Sequence, residues 1–393
     1  MTTLLTLSRR AALASSLGGV LAGCTSPRLA TTPIDGDVAA YGVSAFEPLD
    51  LSARNLMKIT VCTRPLREAG PRLEATEQNG RPLVHNYGHG GSGWSLAWGY
   101  AEEARRLLAR ARPGSVAVLG AGAIGLATAT ALAETGARVT VYARQFPMET
   151  RSARATGVWS PSSRIGLASA AAPGFGDLWE RLARKSYARH LSYVGRSGAP
   201  VEFTPRFYVR TGAPEPALAE PPSSGNDFLE LDRRLRGLTP PWAEREGTPF
   251  PSENGVRSGL VMTFNIAEYT RQLVEDLGAM GAKFERAEIG SPRDATALPG
   301  DALVNCSGYG AKALFGDETL VPVRGQIAWL APQIDRLYGV IHRNVTALSR
   351  RDGLLIQEMG GSDYYGFGDE SEEPSHDEFE AALAKIAPVL NFR

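Results

Sequence analysis

SVAVLGAGAIGLATATALAETGARVTVYAR, residues 115–144, decides the fold. VAVL is an apolar run of strand length, LATATALAE reads as a helix that Gly136 stops, and RVTVYA is a second strand. Gly120, Gly122 and Gly125 stand between the first strand and the helix in G-x-G-x-x-G spacing, the turn of a dinucleotide-binding βαβ unit. The first glycine makes the tight turn. The second lets backbone approach a pyrophosphate, and the third lets helix and strand pack closely. The helix N-terminus then faces the phosphates, with Ala123 and Ile124 in the same cradle. The acid that ordinarily grips a ribose at the end of the second strand is missing, and Tyr142-Ala143-Arg144-Gln145 stands there. Arg144 suits a 2′-phosphate and so NADP, while Gln145 can equally hydrogen-bond a ribose. The motif alone leaves FAD and NAD(P) open.

Upstream lies VHNYGHGGSGWSLAWG, residues 84–99, running on into YAEEARRLL. This stretch resembles the flavin-binding signature of the D-amino-acid oxidase family. TRPLREAGPRLE (63–74) resembles that family's arginine-bearing segment. ATGVWSPSS (155–163) resembles the loop after the second strand, DALVNCSGYGAKAL (301–314) the strand and turn that close the nucleotide site, and PVRGQIAWL (322–330) the entry to the substrate sheet. The likeness covers roughly residues 55–390 and implies FAD as cofactor. In the family the HNYGHGG and arginine segments come last. Here they come first, and the chain ends at KIAPVLNFR. The expectation is a circular permutant, joined through the short linker RARPGS; permutation is tolerated where termini are neighbours.

On this reading Gly88, Gly90, Gly91 and Gly93 remove side chains where backbone lies against a flat ring. Trp94-Ser95-Leu96 starts a helix whose positive end faces the flavin's pyrimidine edge, with Ser95 placed to donate to it. The resemblance adds Thr156, Gly157, Trp159, Ser307 and Gly308 to the cofactor set. It also gives Arg64 the role of clamping the substrate carboxylate, for which a planar guanidinium is suited. The Gly91 carbonyl takes the substrate amine. The implied chemistry is hydride transfer from Cα of a neutral amine to flavin N5, giving an imino acid that water hydrolyses. One departure stands out. The family's substrate-strand tyrosines are absent from VIHRNVTALSRRDGLLIQEMGG (340–361). His342, Arg343, Thr346 and Arg350 are the polar candidates for that wall, and Tyr364 and Tyr365 lie beyond it. A cationic wall fits an acidic or larger carboxylated substrate.

The rest bounds the problem. The chain has 393 residues and no formal net charge, which gives no pointer to nucleic acid as a partner. LSRRAALASSLGGVLAGC (7–24) resembles a twin-arginine export signal, with Arg9 and Arg10 ahead of a lipoprotein box ending at Cys24. A periplasmic protein anchored to the membrane through a lipid on Cys24 follows as an expectation. Cys62 and Cys306 sit in apolar surroundings and make no disulfide framework. His85 and His89 are separated by residues that oppose a helix, so no metal is expected.

These readings give an α+β fold: a Rossmann-like FAD-binding domain (55–170 and 256–322) and a substrate domain with a large, mostly antiparallel sheet (171–255 and 323–393), after an export signal and tether (1–40). The expected activity is FAD-dependent oxidation of a D-amino acid or related carboxylated amine, with oxygen or another electron acceptor. The alternatives are a dehydrogenase passing electrons to a quinone or carrier, and a lipoprotein that binds flavin or amino acid without turnover.

Overall fold

The computed structural model describes residues 47–212 and 228–392, all within one compact unit. The export signal, Cys24 and the tether lie outside the described residues. Fourteen strands are assigned among the described residues: β1 (Leu56–Arg67), β2 (Arg72–Gln78), β3 (Arg81–Tyr87), β4 (Ser115–Leu119), β5 (Arg138–Ala143), β6 (Val201–Val209), β7 (Ala243–Arg245), β8 (Val256–Phe264), β9 (Lys283–Arg286), β10 (Ala302–Asn305), β11 (Leu320–Leu330), β12 (Gly339–His342), β13 (Val345–Arg350) and β14 (Gly353–Glu358). The helices are α1 (Gly93–Leu108), α2 (Ala123–Ala133), α3 (Phe175–Leu191), α4 (Ile266–Ala279), α5 (Pro292–Ala297), α6 (Ala311–Phe315) and α7 (His376–Leu390).

One sheet has the order β2-β3-β10-β4-β5-β9. Its central pairs β3–β10, β10–β4, β4–β5 and β5–β9 are parallel, and β2 closes the edge antiparallel. Parallel strands need both faces covered. That explains α2, whose sequence AIGLATATALA is apolar on nearly every side and buried throughout except at Ile124. α1 lies against α2 and α3. A Cβ on Gly99 would stand 2.1 Å from the Leu182 carbonyl oxygen, so glycine is what lets α1 and α3 approach that closely.

The second sheet has the order β1-β11-β14-β13-β12-β6-β8-β7 and is antiparallel except for β12–β6. The two sheets match the α+β expectation. Two strands sit outside the expected partition. β1 and β8, both assigned by sequence to the nucleotide domain, belong to the large sheet, because β1 pairs along its length with β11 and β8 with β6. The chain therefore crosses between the sheets within a few residues, from β1 to β2 and from β8 to α4.

Register puts one row of side chains on a single face of the large sheet. Cys62 and Arg64 of β1 face the same way as Gly325 and Ile327 of β11. Gln357 of β14 lies opposite Thr346 of β13, Thr346 opposite Ile341 of β12, and Gly339 beside Arg206 of β6. Strand side chains alternate with period two, so His342, next to Ile341, turns to the other face.

Candidate cofactor and substrate site

The turn after β4 fixes one end of the site. Gly120 has φ +98°, a conformation that favours glycine, and its N–H donates to the Tyr142 carbonyl at 2.8 Å. A Cβ on Gly120 would stand 2.5 Å from the Cys306 carbonyl oxygen, and one on Gly125 would stand 1.9 Å from the Gly120 carbonyl oxygen. The chain's own packing demands both glycines. Gly122 differs. Its φ is −78°, and an added Cβ would meet only Ser152, whose Oγ lies at 2.8 Å. Ser152 Oγ also accepts the Ala123 N–H at 3.0 Å, a hydroxyl lodged at the positive end of α2. Gly120, Gly122, Ala123, Ile124, Arg144 and Gln145 all line a cavity of about 870 Å³, large for a ligand site. Gly125 does not line it.

The glycines before α1 line the same cavity, but for more than one reason. Gly88 and Gly90 have φ +89° and +52°. A Cβ on Gly90 would stand 1.8 Å from the Arg164 carbonyl oxygen, and one on Gly91 would stand 2.5 Å from Ser163 Oγ. The Gly91 N–H donates to the Ser163 carbonyl at 3.0 Å. These two positions are bare because residues 163–164 press on them, whereas no atom of the described residues lies within 4 Å of a Cβ on Gly93. No side chain caps the start of α1. Trp94 and Ser95 reach the cavity, where Ser95 Oγ accepts the Ser160 N–H at 2.8 Å and finds an acceptor of its own, the Val158 carbonyl, only at 3.5 Å. Burial lowers His85 to about 4 and His89 to about 3, which keeps both neutral. His85 Nδ1 lies 3.2 Å from Asn305 Nδ2, and His89 sits edge-on to Tyr100.

Thr156 and Gly157 line the cavity and are held from behind by Arg350. This fully buried arginine pairs with Asp352 at 2.8 Å and donates to the Ala155 and Thr156 carbonyls at 3.1 and 2.8 Å. Ser307 and Gly308 line it after β10. Trp159 does not: its ring lies in the core, edge-on to Tyr187 at 5.1 Å, while its backbone N–H donates to the Met262 carbonyl. The expected wall from His342 to Arg350 is also corrected. Only Thr346 of its four candidates lines the cavity. His342 Nδ1 bonds the Val209 carbonyl at 2.9 Å on the far face, and Arg343 occupies the turn after β12 with φ +46°. Tyr365 lines the cavity, with its hydroxyl donating to Glu378 at 3.2 Å. Tyr364 packs instead with Phe228 and Phe367.

Arg64 stands at the cavity wall on β1. Its Nη1 donates to the Arg324 carbonyl at 3.1 Å, and its guanidinium fills the space above Gly325. Burial lowers its pKa from the ordinary value. Among the described residues no carboxylate makes an ion pair with it. Two further buried arginines in the wall, Arg164 and Arg206, escaped the sequence reading. Arg164 Nε donates to the Asp363 carbonyl at 2.8 Å, and its Nη1 lies 3.3 Å from the Asp363 carboxylate. Burial, with the nearby Arg64 charge, lowers it to about 10. Arg206 on β6 is 6% exposed, donates to Thr346 Oγ1 and has no carboxylate partner among the described residues. PVEFTPRFYV carries an alternation that puts Arg206 on the face of Thr204, but only the distant β12 and β13 show that this face meets a cavity.

A model of the family described as FAD dependent oxidoreductase (DAO) matches residues 115–392. A D-amino-acid oxidase of Rubrobacter xylanophilus is 31% identical over 245 residues, covering 59% of this chain and 62% of that protein. A D-amino-acid oxidase of Streptomyces coelicolor is 45% identical over 94 residues, covering 23% of this chain and 29% of that protein. Both matches span less than two thirds of the relative's own length. Among solved structures, glycine oxidase from Geobacillus kaustophilus aligns with 17% identity and a TM-score of 0.49, over 70% of this chain and 77% of that one. The family match begins at the first residue of β4, so β1, β2, β3 and α1, which complete both sheets, precede it.

Proposed function

Because the chain belongs to the DAO family of FAD-dependent oxidoreductases, we propose that it catalyses the oxidative deamination of a D-amino acid or a related carboxylated amine. The observation that carries this reading is one shared cavity. The glycine turn at the start of α2 and the Arg64 guanidinium, which has no carboxylate partner among the described residues, both line it. The residues present fit FAD. The open position at Gly93, the uncapped start of α1 and the positive end of α2 are suited to a flat, electron-accepting ring and a pyrophosphate. Gly122, Ala123 and Ile124 would hold the pyrophosphate, and Arg144 or Gln145 the ribose side. Gly90, Gly93, Trp94, Ser95, Thr156, Gly157, Ser307 and Gly308 would enclose the rest. Bound FAD supplies the two-electron acceptor for hydride leaving the substrate Cα.

The chain's own part is orientation and exclusion of water. Arg64 would fork onto the substrate carboxylate in two parallel hydrogen bonds, which fixes Cα relative to the ring. The Gly91 carbonyl would accept a hydrogen bond from the amine. Asp363 and Tyr365 would cover the substrate from the loop after β14. No side-chain base is needed once the amine is neutral. Purified protein should carry the visible absorbance of bound FAD and should not retain NADP. Peroxide released in air with a D-amino acid would mark oxygen as acceptor. Turnover only with a quinone or dye would mark the dehydrogenase reading. Flavin that no amine reduces would leave a binding protein and contradict the proposal.

Export belongs to the same proposal. Arg9, Arg10 and Cys24 support a twin-arginine lipoprotein anchored in the membrane. Replacing both arginines by Lys should hold the chain in the cytoplasm, and Cys24→Ala should abolish incorporation of labelled fatty acid. A wild-type chain that takes up no label would contradict the anchor.

A further inference from the structure

Arg206 is a buried cation with almost nothing to satisfy it. It is 6% exposed, its one hydrogen bond among the described residues goes to the Thr346 hydroxyl, and its Nε has no partner among them. No carboxylate lies within ion-pair distance of it among the described residues, and it lines the same cavity as Arg64. A buried charge without a counter-ion is costly, so a strand that keeps one on a cavity wall has a use for it. The acids around the cavity do not supply the charge. Asp363 is taken by Arg164 at 3.3 Å, and Glu358 by Lys385 at 2.7 Å. Glu288 belongs to the nucleotide side, just beyond β9.

Register gives the spacing. The Arg64 guanidinium fills the space above Gly325 on β11, and Arg206 reaches over Gly339 to Thr346 on β13. Only β14 separates β11 from β13, and Thr346 lies opposite Gln357, which the β11–β14 register carries to Ile327, two residues from Gly325. Strands ~5 Å apart with a rise of ~3.4 Å per residue therefore put the two guanidinium groups on the order of 10 Å apart. That is too far to share one carboxylate. A four- or five-carbon dicarboxylate spans roughly that distance with each end bound to a guanidinium.

We propose that Arg206, with Thr346, forms a second carboxylate subsite, so that the substrate is a dicarboxylic D-amino acid held by Arg64 at its α-carboxylate and by Arg206 at its side-chain carboxylate. This rests on the oxidation reading above, and the test separates the two. D-glutamate and D-glutamine differ in shape very little and in charge by one. In the flavin-loaded protein without air, D-glutamate should reduce flavin at least ten-fold more efficiently than D-glutamine. Arg206→Met should bring that ratio to one or below by slowing D-glutamate alone, and Arg206→Lys should restore part of it. A wild-type ratio near one, or a Met variant that slows both substrates equally or keeps the preference, would overturn the subsite. A binding arm decides the matter without turnover. Glutarate should perturb the flavin spectrum at ten-fold lower concentration than its monoamide, and Arg206→Met should erase the difference. If no amine reduces the flavin but glutarate keeps this advantage, the oxidation reading fails and the subsite stands. If the Met variant does not fold, the wild-type comparisons of D-glutamate with D-glutamine and of glutarate with its monoamide still decide.

Discussion

Arg64→Ala should purify yellow and yet fail to have its flavin reduced by an amino acid. Among the described residues the guanidinium makes one hydrogen bond, to the Arg324 carbonyl, so its removal leaves β1 paired with β11 along its length. The glycine turn at α2 and the start of α1 stay in place, and flavin binding with them. What is lost is a charge-assisted fork inside a partly dry pocket. Truncating one partner of such a pair costs about 2–5 kcal/mol, or about a 30- to 4,000-fold loss in turnover efficiency. Arg64→Lys should recover only part of this, since an ammonium cannot make two parallel hydrogen bonds. Stopped-flow reduction of wild type and both variants by one substrate checks the order. An Ala variant reduced at the wild-type rate would remove Arg64 from the site.

Gly122→Val should give folded, colourless protein. Among the three motif glycines this is the one whose substitution the fold accommodates. Gly120 and Gly125 face carbonyl oxygens at 2.5 and 1.9 Å, whereas Gly122 faces only the movable Ser152 side chain, and its φ of −78° suits a branched residue. A valine there puts two methyl groups at the positive end of α2, where the pyrophosphate would lie. Flavin content should fall at least a hundred-fold relative to wild type, with the circular dichroism spectrum retained. Gly120→Val and Gly125→Val should instead yield little soluble protein. A yellow Gly122→Val would show that the cofactor does not approach that turn.

The local features of this fold were legible because their physics is local. A strand, a glycine turn, a helix and a second strand follow one another within residues 115–144, and each is marked by its own composition. The segment 84–99 was legible as glycine-rich backbone ahead of a helix. The reason for Gly90 and Gly91 was not, since residues 163–164, which press on them, come from elsewhere in the chain. The substrate wall was misread for a similar reason. His342 to Arg350 looked polar along the sequence, but period-two alternation sends His342 to the far face, and Arg350 goes to loop 155–157. The cation at that wall is Arg206, brought beside Gly339 by the parallel β6–β12 pairing. A contact between strands so far apart in sequence leaves no signal in either strand alone. Trp159 shows the converse: the motif around it resembles a flavin loop, yet its ring is spent on the core beside Tyr187 and His190.

The most direct test of the central claim is an anaerobic titration of the purified, flavin-loaded protein with a panel of D-amino acids, followed by visible absorbance. The account predicts that the oxidised flavin band bleaches with one equivalent of substrate, that an L-enantiomer leaves it unchanged, and that 2-oxo acid appears in proportion to the flavin reduced. A fully occupied flavin whose spectrum survives every D-amino acid, glycine and secondary amine in the panel would contradict it.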